Sequence, residues 1–551
     1  MLRLILSPSV GGTAGYLYDT AASIASSGGE AVLIVPEQYS FAAERIVLER
    51  LGTADAQRVE VLSFTRLANT VFNAVGWDKG KRLNEAGKIL LMSRALEQCA
   101  DKLNVYSRSA DSPAVVRELL SLNEEFCQCA ISPEDMTAAM NNMEDGLLKS
   151  KLADISLVFS VYDSFVSKGW LDDSRMLTRL KDKILESGYF KNKTVFFDSF
   201  RGFTAQEFGV IGKILTQADD VYAALTAPDL VERDSDDIFY HTKNTAKKLI
   251  KLANSVGVPC AKPVVINDPN GDPALDAFAS DFLSPEADVF SGACDSISIV
   301  ASPDIRSECA YAAAHIKRML RTGEYRSRDI AVIVRDETSY IRPMLTALAK
   351  CGVPVFEDRR QPVINQPLMT LVRAALKIAD TGFDTDSVLR ALKTGLCPLA
   401  ADEISDIENY TYLWQINGSG WLKKWESSPD GFGEMTENAA AELERLNALR
   451  EKAVEPFAKF RGKLKDNDGE GCAKAVFELL CELDTAQRLK DLAIYLEDSG
   501  ENVLALETER LWDTLCSLLD VAAQTLGKTP VKASRFSRLF DLMLSTVTLG
   551  E

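Results

Sequence analysis

The chain has 551 residues, 46% hydrophobic and 26% charged, the balance of a soluble globular protein long enough for about three to four domains. Its net charge of −18 argues against a general nucleic-acid coat, whose footprint is basic, while leaving room for a local basic path on an acidic body. No run approaches the ~20 apolar residues of a membrane span, no basic-then-apolar leader opens the chain, two histidines argue against a His-based metal site or triad, and eleven scattered cysteines fit reduced thiols in the cytoplasm.

The first 80 residues alternate strand and helix. Residues 2–6 read as a strand, 7–14 as a loop of small residues and 15–26 as a helix. Residues 31–35 are a continuous apolar run, as a parallel strand buried on both faces requires. That run stops at Pro36-Glu37-Gln38, and a helix follows over 41–51. A third strand at 59–62 leads through Ser63-Phe64-Thr65-Arg66 into a helix over 67–75. Such alternation predicts a parallel α/β sheet, whose ligands sit beyond the carboxyl ends of the strands. Three loops fall there: 7–14, 36–40 and 63–66.

The first of them has the outline of a P-loop without its working residues. A GxxxxGK[ST] site needs a Lys on the phosphates and a hydroxyl on Mg²⁺. With Gly12 on the second Gly, Ser7 takes the first Gly, Thr13 the Lys and Ala14 the Ser/Thr. The stretch, with Gly11, Gly12 and Thr13 at its centre, reads either as an ordinary strand–helix turn or as a nucleotide site that has lost its chemistry.

From 84 to 186 apolar residues recur at helical spacing and strand signals vanish, which predicts an all-helical insertion. The sheet resumes at 194–198, a strand ending in Asp198, followed by a loop over 199–203. Thr204 and Glu207 have the spacing of a capping box, and 221–225 is a further strand. Residues 228–294 are polar, irregular and linking. A second α/β unit is expected from 296 onward, with strands at 297–301, 330–334 and 353–356 and helices at 306–321 and 340–350. After Leu368 the chain is helical, with breaks at 417–420 and 427–433.

Seven stretches in order carry a family likeness: Val35-Pro36-Glu37-Gln38 with Phe41 and Glu44; Ser63-Phe64-Thr65-Arg66-Leu67-Ala68; Asp198-Ser199-Phe200 with Phe203-Thr204 and Gln206-Glu207; Arg328-Asp329-Ile330-Ala331-Val332 with Tyr340; Asn365-Gln366-Pro367-Leu368; Lys393-Thr394-Gly395; and Glu408-Asn409-Tyr410 with Gly418 and Trp421 beyond. Through them the chain resembles the AddB/RexB-type subunit of bacterial AddAB (RexAB) helicase–nucleases, which process double-strand DNA ends for recombination. The resemblance implies two RecA-like α/β domains of the superfamily 1 helicase kind, each with a helical insertion. The implied divisions are 1–83 and 191–294 for the first domain and linker, 84–190 for its insertion, 295–380 for the second domain and 381–551 for a truncated second insertion. It also implies a C-terminal nuclease domain with an iron–sulfur cluster outside this sequence, and a cytoplasmic heterodimer with an AddA/RexA-type motor–nuclease subunit that supplies ATP and Mg²⁺ chemistry. No cofactor, metal or catalytic residue is expected in the chain itself.

In that family the helicase-like region scans the emerging 3′ single strand for the hotspot Chi. The loops that match are the expected reading surface, and they carry Gln38, Ser40, Phe64, Arg66 and Phe203. Arg, Gln and Ser suit base edges and phosphates, and Phe can stack on unpaired bases; a core role competes for the two Phe. Asp198 ends a strand where a helicase holds its Mg²⁺-binding acid, but Ser199 stands where a Glu would position water. A modest basic group, Lys79, Lys81, Arg82 and Lys88, reads as a solvated face or as phosphate contacts, and Asp358-Arg359-Arg360 as a turn with a further phosphate contact. The expected function is thus a non-catalytic scaffold that holds and reads single-stranded and duplex-end DNA. An active superfamily 1 ATPase and a purely structural docking module are the rival readings.

Overall fold

The computed structural model describes residues 1–549 except 9, 110–111, 232–236, 268–271, 282–287, 358–360, 433–434 and 466. The Asp358-Arg359-Arg360 turn therefore lies outside the described residues. The chain divides into two compact units, one of residues 1–266 with 361–549, the other of residues 267–360.

The first unit is built on a parallel sheet. In chain order it has β1 (Leu2–Ser7), α1 (Val10–Ser26), β2 (Glu30–Ile34), α2 (Ser40–Ala56), β3 (Val59–Leu62) and α3 (Phe64–Val75). A helical block follows: β4 (Lys81–Leu83), α4 (Glu85–Cys99), α5 (Pro113–Gln128), α6 (Pro133–Asn141), α7 (Leu147–Val166), β5 (Trp170–Asp172) and α8 (Met176–Ser187). The sheet then closes with β6 (Lys193–Phe197), α9 (Ala205–Gln217), β7 (Asp220–Thr226), α10 (Tyr240–Ser255) and β8 (Val264–Val265). The strand order is β3-β2-β6-β7-β1-β8, with every pairing parallel. Side chains alternate across the sheet as strand geometry demands. Leu2, Leu4, Leu6, Val32 and Ile34 join the core beneath α3, α8, α9 and α10, while Ile5, Ala31, Leu33 and Val35 join the core beneath α1 and α2.

All five strands expected in this sheet are present, and the Thr204–Glu207 capping box forms as its spacing predicts. Two expectations change. Residues 240–255, expected to be irregular, form α10, whose Ala246, Leu249 and Ala253 pack on the sheet; their Asp-rich flank masks a helical stripe. Within the supposedly all-helical block, β5 pairs with β4 over three residues, too few for a period of two to show.

The second unit holds α11 (Pro273–Asp281), α12 (Ile305–Thr322) and α13 (Glu337–Lys350). The strands expected at 297–301, 330–334 and 353–356 form no ladder among the described residues. These are near-continuous apolar runs of the kind that a parallel ladder covers on both faces; among the described residues no strand pairs with them, although Val353 packs on Met344 and Leu348. Ile299, Ile333 and Phe356 are 95%, 94% and 81% exposed as a result. The chain is expected to bind a hydrophobic dye, and Ile333→Asp to lower the signal; an unchanged signal would put the dye-binding surface elsewhere.

The first unit continues with β9 (Gln361–Pro362), α14 (Pro367–Thr381), α15 (Thr385–Leu392), α16 (Ala401–Leu413), α17 (Glu437–Leu464), α18 (Gly469–Glu482), α19 (Thr485–Asp498), α20 (Asn502–Leu526), α21 (Ala533–Leu544) and β10 (Thr548–Leu549). Its core is continuous with that of the first helical block: Ile89, Met92, Leu96, Val158 and Tyr162 share one cluster with Leu371, Phe457, Leu515 and Phe540. Arg94 Nη1 donates to the Thr525 carbonyl at 3.3 Å, and Arg535 pairs with Glu97. The two helical blocks that sequence presents as separate insertions are packed as one body.

Candidate nucleic-acid interface

In the sheet order β3, β2 and β6 are neighbours, so the segments leaving their carboxyl ends form one edge. Leaving β2, Pro36 leads into a single 3-10 turn, Glu37–Tyr39, which holds Gln38 exposed. Ser40 starts α2 but is only 1% exposed, and its hydroxyl donates to the Glu37 carbonyl at 2.9 Å. Its polar group is used in the turn, so Ser40 shapes this edge and does not face a ligand.

Leaving β3, the expected loop 63–66 is instead the cap and first turn of α3. Ser63 is the N-cap, its hydroxyl accepting the Arg66 amide at 3.2 Å, a standard way to satisfy a free helix donor. Phe64 thereby turns inward to 7% exposure and Arg66 outward. Arg66 Nη1 lies 2.5 Å from Glu44 Oε1 of α2, with both side chains close to half exposed. An exposed pair of this kind is worth little, about 0–1 kcal/mol, so a phosphate could displace Glu44 at small cost.

Leaving β6, Ser199 takes a left-handed backbone with φ of 64°, sparsely populated for a non-glycine residue. The turn sends Phe200 and Phe203 back onto the sheet. Phe64, Phe197, Phe200 and Phe203 form one aromatic cluster, with ring centroids of Phe200 and Phe203 4.8 Å apart and those of Phe64 and Phe203 6.4 Å apart. Phe64 is therefore core rather than a base platform, and Phe203 is half-buried at the edge of the cluster.

Sequence reading passed over two residues of this edge. Phe41, in the first turn of α2 just after Gln38, is 75% exposed, although a Phe is usually buried. Arg201, on the turn after β6, is also exposed. Both lie in segments whose position was legible, but their outward direction depends on where α2 and the Ser199 turn begin.

The first strand–helix connection differs from its expected form. Strand β1 ends at Ser7 and α1 starts at Val10, which leaves two residues where a loop over 7–14 was expected. Gly11, Gly12 and Thr13 lie inside the helix, and Thr13 is 3% exposed. A phosphate is cradled by successive amides of a Gly-rich loop, whereas Gly11, Gly12 and Thr13 are helical here. Asp198 is 1% exposed. Its amide donates to the Ile34 carbonyl at 3.1 Å, but neither carboxylate oxygen has a hydrogen bond of normal geometry, and the Tyr18 hydroxyl has none either. Burial pushes the Asp198 carboxyl above its ordinary pKa. Burial first, then the nearby Asp198 charge, raises Tyr18 and Tyr39 too. Two phenols thus stand beside the acid, and the residues present do not fit Mg²⁺-nucleotide.

The basic group divides: Lys79, Lys81 and Arg82 are exposed, whereas Lys88 is not. Lys88 is 5% exposed, with Nζ 2.7 Å from Glu85 and 2.9 Å from Glu124. Arg82 lies over the Trp77 ring at 4.5 Å and donates to Asn69. Lys81 donates to Gln524 at 3.4 Å. Among the described residues no group of three or more His, Cys, Asp or Glu could hold a metal, and no helix is long and apolar enough to cross a membrane.

The family described as "ADDB, N-terminal" matches residues 9–277. Along the whole chain, similarity extends to proteins named as the B subunit of an ATP-dependent helicase/deoxyribonuclease. That of Clostridium acetobutylicum is 27% identical over 100% of this chain and 49% of its own length. Those of Clostridium novyi and Acetivibrio thermocellus are 29% and 28% identical, each over 94% of this chain and 46% of its own length. The chain is similar to AddB-type subunits along its whole length. It spans about half the length of the curated relatives it matches. The family match takes in the whole edge built by β2, β3 and β6.

Proposed function

We propose that this chain is the helicase-like half of a DNA-repair helicase–nuclease subunit, and that it holds and scans 3′ single-stranded DNA without hydrolysing ATP. The observation that carries the reading is an unfavourable nucleotide position beside an open edge: a helical Gly11-Gly12-Thr13 and a buried Asp198 on one side, exposed Gln38, Phe41, Arg66 and Arg201 on the other. The strand order, with one strand between β1 and the acid-bearing β6, supports a RecA-like origin for the sheet. The relatives are named as one subunit of a helicase/deoxyribonuclease, which supports a partner protein. In this reading that partner is an AddA-type motor in the cytoplasm, with ATP and Mg²⁺ as its own, and any iron–sulfur cluster belongs to the remainder of the relatives' length.

The test is binding of a fluorescent dT oligomer followed by anisotropy across a salt series. Arg66→Ala is expected to weaken binding several-fold and to reduce the log–log salt slope by about 0.7, the contribution of one phosphate on a single strand. Gln38→Ala is expected to weaken it less and leave the slope unchanged. Unchanged affinity in both variants, in the chain and in the complex with its motor partner, would leave a docking module as the better reading. ATP turnover by the chain alone would sink the non-catalytic part.

A further inference from the structure

We propose that the cleft between α14, α15 and α16 is a second contact for single-stranded nucleic acid, with Tyr412 as a stacking platform and Arg390 and Lys393 as phosphate contacts. The proposal shares its ligand class with the function above but concerns a different part of the unit.

The cleft has a volume of about 550 Å³ and is lined by Thr370, Arg390, Lys393, Thr394 and Glu408, with Asp386 at its side. It gathers three stretches that stand apart in sequence, those around Pro367, Lys393-Thr394-Gly395 and Glu408. Nothing in the sheet-edge reading uses them. Lys393 Nζ lies 2.5 Å from Glu408 Oε1, with both side chains substantially exposed. Arg390 is exposed, and among the described residues it makes no ion pair or hydrogen bond, even with Asp386 one turn before it. An unpaired guanidinium beside two threonine side chains suits a phosphate diester.

Tyr412 supplies the second half of the chemistry. It follows Glu408 by four residues on α16, so the two side chains share a face. It is 80% exposed and no aromatic or cationic side chain covers its ring among the described residues. Trp77 makes the contrast: it too is an exposed aromatic beside a cation, but Arg82 covers it at 4.5 Å and Phe72 packs against it at 4.9 Å. A free ring one helical turn from a cleft that holds Arg and Lys is the arrangement by which proteins bind unpaired bases without sequence preference. Asp386 and Glu408 keep the resting cleft near neutral, so it does not act as a general polyanion trap. A phosphate must take Lys393 from Glu408.

The experiment uses the whole chain with dT oligomers carrying 5-iodouracil, read by photo-crosslink mapping and by anisotropy over a salt series. A crosslink to Tyr412 is expected, together with a weakening of about fivefold or more in Tyr412→Ala and a salt slope lowered by about 1.4 in Arg390→Ala/Lys393→Ala, two phosphates' worth. Glu408→Gln, which frees Lys393, is expected to tighten binding. All four side chains are at the surface, so misfolding does not confound the result. If no crosslink falls in residues 365–413 and slope and affinity are unchanged in the double variant, the proposal is overturned. Arg66→Ala separates the two sites: weakening there with none at Tyr412 removes this cleft and keeps the sheet edge. Weakening at Tyr412 alone keeps the cleft and removes the edge. If the motor partner protects the cleft and DNA does not, the cleft is a protein contact and the proposal is overturned.

Discussion

Replacing Lys88 by Met is expected to destabilise the chain by about 3–5 kcal/mol, the cost of leaving a buried charge without its partner. The site is a knot in the first helical block. Lys88 of α4 reaches Glu85 in its own helix, Glu124 of α5 and the Ser174 hydroxyl, and it lies 3.7 Å from Asp172, itself 1% exposed. Asp172 also accepts the Tyr162 hydroxyl at 3.1 Å and the Ser174 amide at 2.9 Å. Burial alone lowers the Lys88 pKa, but the hydrogen bonds to Glu85 and Glu124 and the charge of Asp172 carry it above the ordinary lysine range. A lysine raised in this way stabilises fully at any pH below its unfolded value, about 10.4, and its contribution is lost as pH climbs through the folded value. The deficit of Lys88→Met is therefore expected to be constant from pH 6 to 9 and to shrink in stronger alkali. Urea unfolding followed by circular dichroism measures it. Adding Asp172→Asn should restore a good part of the loss, because the orphaned charge goes with it. A loss under about 1 kcal/mol would mean that Lys88 is a surface residue after all.

Asp198→Asn is expected to act in the opposite direction, stabilising the chain by about 1–3 kcal/mol at pH 7, because an amide of the same size avoids the cost of a buried carboxylate charge. The carboxyl pKa is raised in the folded protein by burial. Below its unfolded pKa, near 3.9, both states are protonated and there is no penalty. As pH rises from there through the folded value, the unfolded chain ionises first, and stability falls. The gain from Asn should accordingly grow as pH rises from about 4 through the folded pKa of Asp198 and fade towards pH 4. The same variant examines the nucleotide question. If Asp198 held Mg²⁺, ATP with Mg²⁺ would raise the melting temperature of the parent and not of the variant. With Asp198 buried, no shift is expected in either. A less stable Asp198→Asn, or a nucleotide-dependent shift in the parent, would contradict the geometry.

These two buried charges also mark the limits of the sequence. Both were visible as residues: Asp198 at the end of an apolar strand, Lys88 in a basic group. Their environments were not. Lys88 was grouped with Lys79, Lys81 and Arg82 by proximity along the chain, yet α4 turns it onto Glu124 and Asp172, which lie far along the chain. The edge residues divide in the same way. Gln38 and Arg66 are exposed at the carboxyl edge, where the strand pattern put them. Ser40 and Phe64 are not, because a helix begins one or more residues earlier than apolar spacing alone suggests, and one residue at a helix start rotates a side chain by about 100 degrees.

Local pattern alone was enough for the parallel sheet, its five main strands, the capping box at Thr204, the absence of a Lys at position 13 and of a Ser/Thr at position 14, and the family resemblance. Each of these rests on local periodicity, on a cap or on the identity of single residues in order. Tertiary packing, not local pattern, buries Asp198 near Tyr18, joins the helical blocks in one core and brings Arg390, Lys393 and Glu408 to one cleft. The physical reason is that periodicity says which face of an element is apolar, not which other face covers it. Partners as far apart along the chain as Glu97 and Arg535 meet only when the whole first unit has folded.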